Sequence, residues 1–184
     1  MCKLLFPYAY AESVFAIDYA KLKKKGFRGI IFDIDNTLVH HGEDSTPEVD
    51  RLFAHIQSLG LKTFLLSNNN DERIRRFCRN IETPYICLAD KPLPGNYRKA
   101  VTRMGISREE TVFIGDQIFT DILGANRSGI PSILVRYMRY PDEKKIGIRR
   151  NLEKVVLLCY RGHYRHRLGD IYIEECGKDA VEQK

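Results

Sequence analysis

Residues 29–37 have the sequence GIIFDIDNT, in which a short apolar run leads directly into two aspartates. An uninterrupted apolar run is typical of a strand with both faces buried, as in a parallel sheet covered by helices. Side chains two positions apart on an extended chain point the same way, so Asp33 and Asp35 would face the same side. The stretch therefore predicts a buried strand that ends in a pair of acidic side chains.

The same kind of pattern continues towards the C-terminus. Four further short and mainly apolar runs predict strands at residues 63–66, 85–88, 111–114 and 132–135. Segments with helical periodicity lie between the predicted strands, at about residues 47–59, 71–79, 95–104 and 120–127. Strands that alternate with helices are typical of parallel sheets with crossover helices. We therefore predict an α/β fold, a doubly wound parallel sheet with helices on both faces.

The length of 184 residues suits one domain, and we expect a single domain over residues 1–184. Its core would extend from about residue 26 to residue 137. An N-terminal helical arm, residues 1–25, and a C-terminal tail, residues 138–184, would flank that core. The tail contains a basic segment with helical periodicity at about residues 144–160. Its expected apolar side consists of Ile146, Ile148, Leu152, Val155, Val156 and Leu158.

Positive charge is in excess and unevenly distributed. The formal net charge is +6, with one basic cluster at residues 23–25 and another between residues 136 and 167. Such a surface favours anionic partners: phosphorylated substrates, acidic lipid headgroups or nucleic acid. A solvated basic face without any partner is equally compatible with either cluster alone.

Two features bear on the compartment. The five cysteines are odd in number and show no CxxC spacing, so we expect reduced thiols, buried at Cys78 and Cys87, in the cytoplasm. No stretch approaches the roughly 18–20 apolar residues that a membrane-spanning helix needs. We expect a soluble cytoplasmic protein, and contact with the inner face of a membrane stays open.

Polar residues follow the predicted strands where each of them ends. Beyond the aspartates of the first strand, the second strand leads into residues 67–70, the third into residues 90–91 and the fourth into residues 115–116. Ligands of such sheets bind beyond the carboxyl ends of the strands. Converging carboxylates repel each other unless a cation lies among them, and Mg²⁺ accepts two or three carboxylates while keeping some of its waters. The pattern favours phosphoryl transfer at a metal site.

These residues resemble the motifs of the haloacid dehalogenase-like superfamily over about residues 28–136. The first motif matches residues 33–38, DIDNTL, and the second matches Ser67. The third motif matches Lys91, and the fourth matches residues 115–121, from Gly-Asp to a second aspartate. The resemblance implies a phosphatase on an α/β core.

Two longer stretches are more specific. Residues 67–70, SNNN, and residues 115–127 resemble the bacterial YqeG family of subfamily IIIA phosphatases, which is similar to the mitochondrial phosphatidylglycerophosphate phosphatases. The motif spacing leaves no room for a large cap domain between Thr37 and Ser67, or between Ser67 and Lys91. The resemblance therefore implies a capless enzyme with an open cleft.

The resemblance also implies a role for each motif residue. Asp33 would attack phosphorus and become an aspartyl-phosphate. Asp35 would give a proton to the leaving oxygen and then activate water. Ser67 and the Asn68 amide would bind the phosphate oxygens, and Lys91 would neutralise charge on the transferred group.

A magnesium ion is implied in the same way. Its ligands would be Asp33, Asp116 and the backbone carbonyl of Asp35. Asp121 would hold the metal through water or orient the motif lysine, and Thr37 would support the first motif. With Asp35 as a second acid, the pattern favours a phosphatase over a dehalogenase.

Structural interpretations of the same residues stay open. Aspartates at a strand end, or a serine with three asparagines, also form ordinary turns and caps. Acidic residues at a helix start are favoured by its dipole. His40 and His41 follow the first motif, but we interpret them as exposed loop residues and leave them out of the site. The basic C-terminal helix either packs on the sheet or docks on an anionic membrane.

An open cleft favours a bulky substrate, or one presented at an interface. Phosphatidylglycerophosphate is the first hypothesis, by analogy with the family. A nucleic-acid end or a small phosphorylated metabolite is the alternative substrate. A regulatory phosphate-binding protein is the alternative from a different class, and the oligomeric state stays open.

Overall fold

Six parallel strands form one sheet in the described part of the chain, residues 2–138, 148–163 and 170–173 of the computed structural model. In chain order they are β1 (Ala9–Ala11), β2 (Gly29–Phe32), β3 (Lys62–Leu66), β4 (Tyr85–Ile86), β5 (Thr111–Gly115) and β6 (Ser132–Val135). Their order across the sheet is β1-β6-β5-β2-β3-β4, and all neighbouring pairs are parallel. The predicted α/β fold with a parallel sheet is confirmed.

Helices cover both sides of the sheet, and all but the last of them connect consecutive strands. They are α1 (Tyr19–Lys24), α2 (Pro47–Ser58), α3 (Asp71–Phe77), α4 (Pro94–Met104), α5 (Leu123–Arg127) and α6 (Ile148–His163). A π-helical turn, Ile118–Ile122, leads into α5. Side-chain caps fix three of the starts. The Asp18 carboxylate accepts from the N–H of Lys21 at 2.9 Å, the Thr46 hydroxyl from that of Val49 at 3.3 Å, and the Asn70 amide oxygen from that of Arg73 at 2.9 Å.

The N-terminal arm is helical over part of residues 1–25, in α1 and in the 3₁₀ turns Cys2–Leu5 and Val14–Ala16, but not throughout. It contributes β1, an edge strand parallel to β6, with Ala9 opposite Ile133. The outer two residues of β1 are buried and the middle one is half-buried, which is the two-residue period of a strand. Asn126 fastens the arm by donating hydrogen bonds to two arm carbonyls, at 2.8 and 2.9 Å. The arm is therefore part of the sheet rather than an appendage.

The side chains of β2 alternate between two apolar layers. Phe32 lies on the side of α2, where its ring centroid is 5.3 Å from that of Phe53. Ile31 lies on the opposite side with α4, where the rings of Tyr97 and Phe113 are 5.0 Å apart. Burial on both faces explains why the strands are continuous apolar runs. It also fixes the carboxyl end of β2, where the polar residues begin.

The connections at this edge of the sheet are short. Residues 33–46 join β2 to α2, and residues 67–70 join β3 to α3. Within the described residues, neither connection contains a folded cap. β4 ends two residues earlier than predicted, because Leu88 has a φ of 45° and the chain leaves the extended conformation there. The edge is consequently open towards solvent.

α6 packs on the protein through a face that includes Val156 of the predicted apolar side but otherwise differs from it. Val156 and Leu157 contact an apolar cluster of β6 and the π-helical turn, and Glu153 and Tyr160 are buried. The Glu153 carboxylate accepts a hydrogen bond from the N–H of Ile118 at 2.8 Å, which sets the inward face of the helix. Three residues of the expected apolar side are exposed instead: Leu152, Val155 and Leu158. Residues 144–147 and the side chain of Ile148 lie outside the described residues.

The cysteine thiols and the apolarity of the helices bear on the expected compartment. Cys78 and Cys87 are free thiols, but they are half-buried rather than buried. Of the helices that the structure describes, none combines the length and the apolarity that crossing a bilayer requires.

Candidate active site

The parallel register brings the ends of the central strands together. Phe32 of β2 lies opposite Leu65 of β3 on one side and Ile114 of β5 on the other. The residues that follow these positions therefore leave the sheet at the same edge. They include Asp33 directly after β2 and Asp116 directly after β5. This is the position where open α/β sheets bind their ligands.

A cluster of three buried carboxylates lies at this edge. Asp33, Asp116 and Asp121 each offer an oxygen, and these three oxygens lie within 4.8 Å of one another. The residues are 6%, 3% and 0% exposed, so water screens their mutual repulsion poorly. The Thr37 hydroxyl lies 3.3 Å from both Asp33 Oδ2 and Asp116 Oδ1. An all-oxygen set of this kind fits a hard divalent cation such as Mg²⁺.

Lys91 supplies positive charge beside the cluster. Its Nζ donates to Asp33 Oδ1 and, at 2.8 Å, to Asp121 Oδ1. Burial acts to lower the pKa of Lys91, but the carboxylates of Asp121 and Asp33 outweigh it and raise that pKa above its ordinary value. The ammonium group therefore stays charged at neutral pH. Burial raises the pKa of Asp33 to about 6, against the opposing effect of Lys91.

Asp35 lies in a different environment from Asp33. Its carboxylate accepts hydrogen bonds from Asn69 Nδ2 at 2.6 Å, the Gly42 N–H at 3.0 Å and Arg73 Nη2 at 3.1 Å. Burial acts to raise the pKa of Asp35, but these hydrogen bonds and the charge of Arg73 outweigh it and lower the pKa below its ordinary value. The pKa values of the two aspartates of the first motif are thus shifted in opposite directions. Asp33 lies next to a lysine, and Asp35 lies among amide and guanidinium donors.

The polar loop after β3 closes the site on a third side. Asn69 donates to the Ser67 hydroxyl from its backbone at 3.2 Å and from its side chain at 3.0 Å. The Asn68 side-chain oxygen accepts from the N–H of Lys91 at 2.9 Å. These contacts tie the second motif to the third. A cleft of about 180 Å³ results, lined by Asp33, Asp35, Asn36, His41, Ser67, Asn68, Asn69, Lys91, Gln117 and Thr120.

The structure brings all the sequence-predicted site residues to this one edge. Five line the cleft: Asp33, Asp35, Ser67, Asn68 and Lys91. The other three lie beneath it in contact with these: Thr37, Asp116 and Asp121. The buried cluster contains the carboxylates of Asp33, Asp116 and Asp121 and not that of Asp35, of which only the backbone carbonyl was expected at the metal.

Sequence reasoning missed several residues around Asp35. His41 is an exposed loop residue, as expected, with a side chain 76% exposed, but it also lines the cleft with its Nδ1 3.4 Å from Asp35 Oδ2. Arg73 lies in the first turn of α3, and no sequence signal distinguishes it from the neighbouring arginines of that helix. Its side chain is only 11% exposed, and its Nε and Nη1 are buried with no acceptor among the described residues. For Asn69 a signal existed, since it stands in the SNNN run next to Ser67.

The fold and this site together define a class of protein. The sequence profile of the haloacid dehalogenase-like hydrolases matches residues 42–129. A relative from Bacillus subtilis is 35% identical to this chain, and the match covers 95% of that relative. The chain belongs to the haloacid dehalogenase-like hydrolase family, and it is a phosphatase.

Within that family the chain is similar to "Probable phosphatase YqeG" of Bacillus subtilis, with 35% identity over 88% of this chain and 95% of the relative. It is also similar to phosphatidylglycerophosphate phosphatase 1 of Arabidopsis thaliana, with 25% identity over 77% of this chain and 43% of that protein. Among solved structures, an uncharacterized protein from Listeria monocytogenes serotype 4b has the same fold, with a TM-score of 0.52 and 17% identity over 73% of this chain and 99% of that one.

Proposed function

We propose that the chain hydrolyses a phosphate monoester in two steps, through an aspartyl-phosphate on Asp33. The observation that carries this proposal is the placement of the Asp33 carboxylate. It ends the central strand, lines the cleft, and has Lys91 on one side and the acidic cluster on the other. A phosphate in the cleft would therefore meet a carboxylate nucleophile with positive charge directly beside it.

In the first step an Asp33 oxygen forms a bond to phosphorus, and the bond from phosphorus to the ester oxygen breaks. Asp35 gives its proton to the departing oxygen, so the product leaves as an alcohol. In the resting protein the pKa of Asp35 is low. An anionic phosphate beside Asp35 would raise that pKa, because a like charge disfavours the carboxylate form, and Asp35 would take up a proton from solvent as the substrate binds.

In the second step Asp35, now a carboxylate, takes a proton from water. The water oxygen bonds to phosphorus, and the bond from phosphorus to Asp33 breaks. Inorganic phosphate leaves, and both carboxyl groups return to their starting states. The position of both aspartates in one cleft supports this division of roles.

We further propose Mg²⁺ as the cofactor, held by Asp33, Asp116 and the backbone carbonyl of Asp35. When bound, the ion neutralises charge on the phosphoryl oxygens. The fit rests on the chemistry of the donors, which are all oxygens, and on the carboxylate repulsion that a cation relieves. Asp121 would orient Lys91, with which it forms a direct ion pair at 2.8 Å.

Ser67 and the Asn68 amide are proposed to bind the phosphate oxygens. Ser67 is 2% exposed, and its hydroxyl accepts from two Asn69 donors. Its own O–H proton is therefore available to donate to an oxygen in the cleft.

For the substrate we propose phosphatidylglycerophosphate. The support is the similarity to the Arabidopsis thaliana protein of that name, together with the open cleft. The enzyme would act as a single domain in the cytoplasm, peripheral to the inner face of the membrane. The net charge of +6 suits an anionic surface of that kind.

The test is phosphate release from phosphatidylglycerophosphate in mixed micelles with Mg²⁺, beside an aryl phosphate. Asp33→Asn is expected to reduce release from both substrates to background. Asp35→Asn is expected to give a burst of about one aryl leaving group per enzyme followed by slow turnover, since the intermediate forms but is not hydrolysed.

The outcomes separate the alternatives. Activity on the aryl phosphate without activity on the lipid would refute the lipid substrate and direct the search to nucleic-acid ends and small phosphorylated metabolites. Binding of phosphate without Asp33-dependent release from any substrate would refute the enzymatic proposal in favour of a regulatory phosphate-binding protein.

A further inference from the structure

An apolar surface borders the catalytic cleft on the side of Lys91. A second, more open depression of about 480 Å³ is lined by Asn68, Leu88, Asp90, Lys91, Pro92 and Leu93. It shares Asn68 and Lys91 with the catalytic cleft, so the two spaces adjoin. We call the pair Leu88 and Leu93 the leucine rim. The adjoining depression gives a ligand whose phosphate lies in the cleft room to extend past this pair.

The leucine rim is strongly exposed. Leu88 is 63% exposed and Leu93 is 58% exposed, whereas Leu65 and Leu66 of the neighbouring strand are fully buried. Single exposed leucines are common on protein surfaces, but two of them on one depression beside a charged site form a patch. Such patches mark places where a protein meets an apolar ligand or surface.

The backbone holds both leucines in place. Leu88 has a φ of 45°, which is uncommon outside glycine, and its N–H donates to the Asn69 carbonyl at 2.9 Å. The N–H of Leu93 donates to the Asp90 carbonyl at 2.8 Å, and Leu93 directly precedes the first residue of α4. The rim is therefore attached to the loop that also carries the proposed phosphate-binding residues.

We propose that the leucine rim inserts among the lipids of an anionic phospholipid surface, and that it selects phosphate monoesters carried by such a surface. This inference rests on the proposed phosphatase function and adds the part of the protein that recognises the apolar portion of the substrate. Lys91 lines both spaces, so a headgroup phosphate bound beside it would place the acyl region at the rim. A small water-soluble ester would reach the cleft without touching either leucine.

The test uses substitutions that suit the local backbone. Leu88→Asn is chosen because asparagine tolerates positive φ. Leu93→Ser is chosen because serine is favoured at the position before a helix. The double variant L88N/L93S is compared with the wild type and with L88M/L93M, which keeps the rim apolar. Phe15→Ser removes an exposed apolar residue that lines neither depression, and it serves as a surface control.

Three measurements are made on each full-length protein. They are hydrolysis of an aryl phosphate, hydrolysis of a phospholipid phosphate monoester at low surface fraction in mixed micelles, and sedimentation with vesicles of phosphatidylglycerol and phosphatidylcholine. L88N/L93S is expected to keep aryl phosphate hydrolysis within about twofold and to lose about tenfold or more on the lipid, with weaker vesicle binding. L88M/L93M and Phe15→Ser are expected to match the wild type.

Unchanged lipid hydrolysis and vesicle binding in L88N/L93S would overturn the inference. Equal losses on both substrates would also overturn it, because the leucines would then support the catalytic centre itself. Failure of the proposed function shows differently, as absence of Asp33-dependent release in the wild type. In that case the vesicle measurement alone tests whether the leucine rim inserts among lipids. Equal sedimentation of the wild type and L88N/L93S with the vesicles would refute that insertion.

Discussion

Gly115→Ala is expected to damage the active site through a single added methyl group. A Cβ at position 115 would lie 2.6 Å from the Cβ, Cγ and Oδ2 atoms of Asp121. Gly115 has an ordinary negative-φ backbone, so alanine is compatible with the main chain and the conflict is one of space alone. The Asp121 side chain is fully buried, and it is held by Lys91 and by the N–H of Gln117.

The magnitude follows from these distances. Relief of the contact to about 3.4 Å requires a shift of roughly 0.8 Å, since tighter carbon contacts are strongly repulsive. Such a shift would lengthen the 2.8 Å bond from Lys91 to Asp121 beyond hydrogen-bonding range. Overpacking of this kind costs about 1–3 kcal/mol of folding free energy, and misplacement of a catalytic group by about 1 Å costs about a hundredfold in rate.

The assay compares kcat on an aryl phosphate with the thermal midpoint of unfolding. We expect Gly115→Ala to lose about a hundredfold in kcat and roughly 5 °C in Tm. Gly95→Ala is the matched control, because a Cβ there meets nothing within 4 Å and the residue lies in the first turn of α4. It should keep full activity. A wild-type kcat in Gly115→Ala would refute the conclusion that the close packing of Asp121 sets the position of Lys91.

Three further perturbations test the electrostatics. Arg73→Met should raise the pKa of Asp35 and move the basic limb of the pH–rate profile to higher pH. Arg73→Lys should largely restore the wild-type profile. If Arg73→Met and the wild type gave identical profiles, a positioning role for Arg73 would be contradicted. Lys91→Met should lower kcat at least about a hundredfold. It should also make the thermal midpoint of unfolding more dependent on Mg²⁺, because Asp33 and Asp121 then lack the lysine ammonium as a partner. An unchanged response of the midpoint to Mg²⁺ would count against the shared lysine–aspartate cluster. The pKa of Asp33 is raised from 3.8 to about 6, so folding favours the protonated form of this carboxyl group. With the metal chelated, the free energy of unfolding should therefore fall as the pH rises from about 4 to about 6. Asp33→Asn should remove that fall in denaturant titrations, and its persistence would assign it to another group.

The sheet and the first site residues could be predicted because their signals are local. The apolar run of β2 and the aspartates after it lie within nine residues, and the register of a parallel sheet then dictates which strand ends meet. Asp33 and Ser67 follow from this rule because each stands directly after a strand, and Lys91 lies in the loop that follows β4. The motifs needed no information on side-chain packing.

The features that were missed depend on distant contacts. Arg73 reaches Asp35 only because the loop after β2 folds back over the start of α3 and presents the Glu43 carbonyl as a second acceptor. The inward face of α6 was wrongly predicted because apolar residues occupy almost all sides of the helix between residues 155 and 158, so periodicity does not select a face. A buried hydrogen bond of Glu153 selects it instead.

The pairing of β1 with β6 has a consequence for synthesis of the chain. Ala9 and Ile133 are register partners separated by 133 − 9 = 124 positions, so β1 leaves the ribosome 124 residues before the strand with which it pairs. Until then β1 has no place in the sheet, and closure of so long a loop is a slow, non-local event. A nascent or truncated chain without this pairing presents the outer edge of β6, with its free N–H and C=O groups, to other chains. The short arm therefore joins the sheet late, and it replaces the edge of β6 with that of the three-residue strand β1, which offers fewer groups for edge-to-edge pairing.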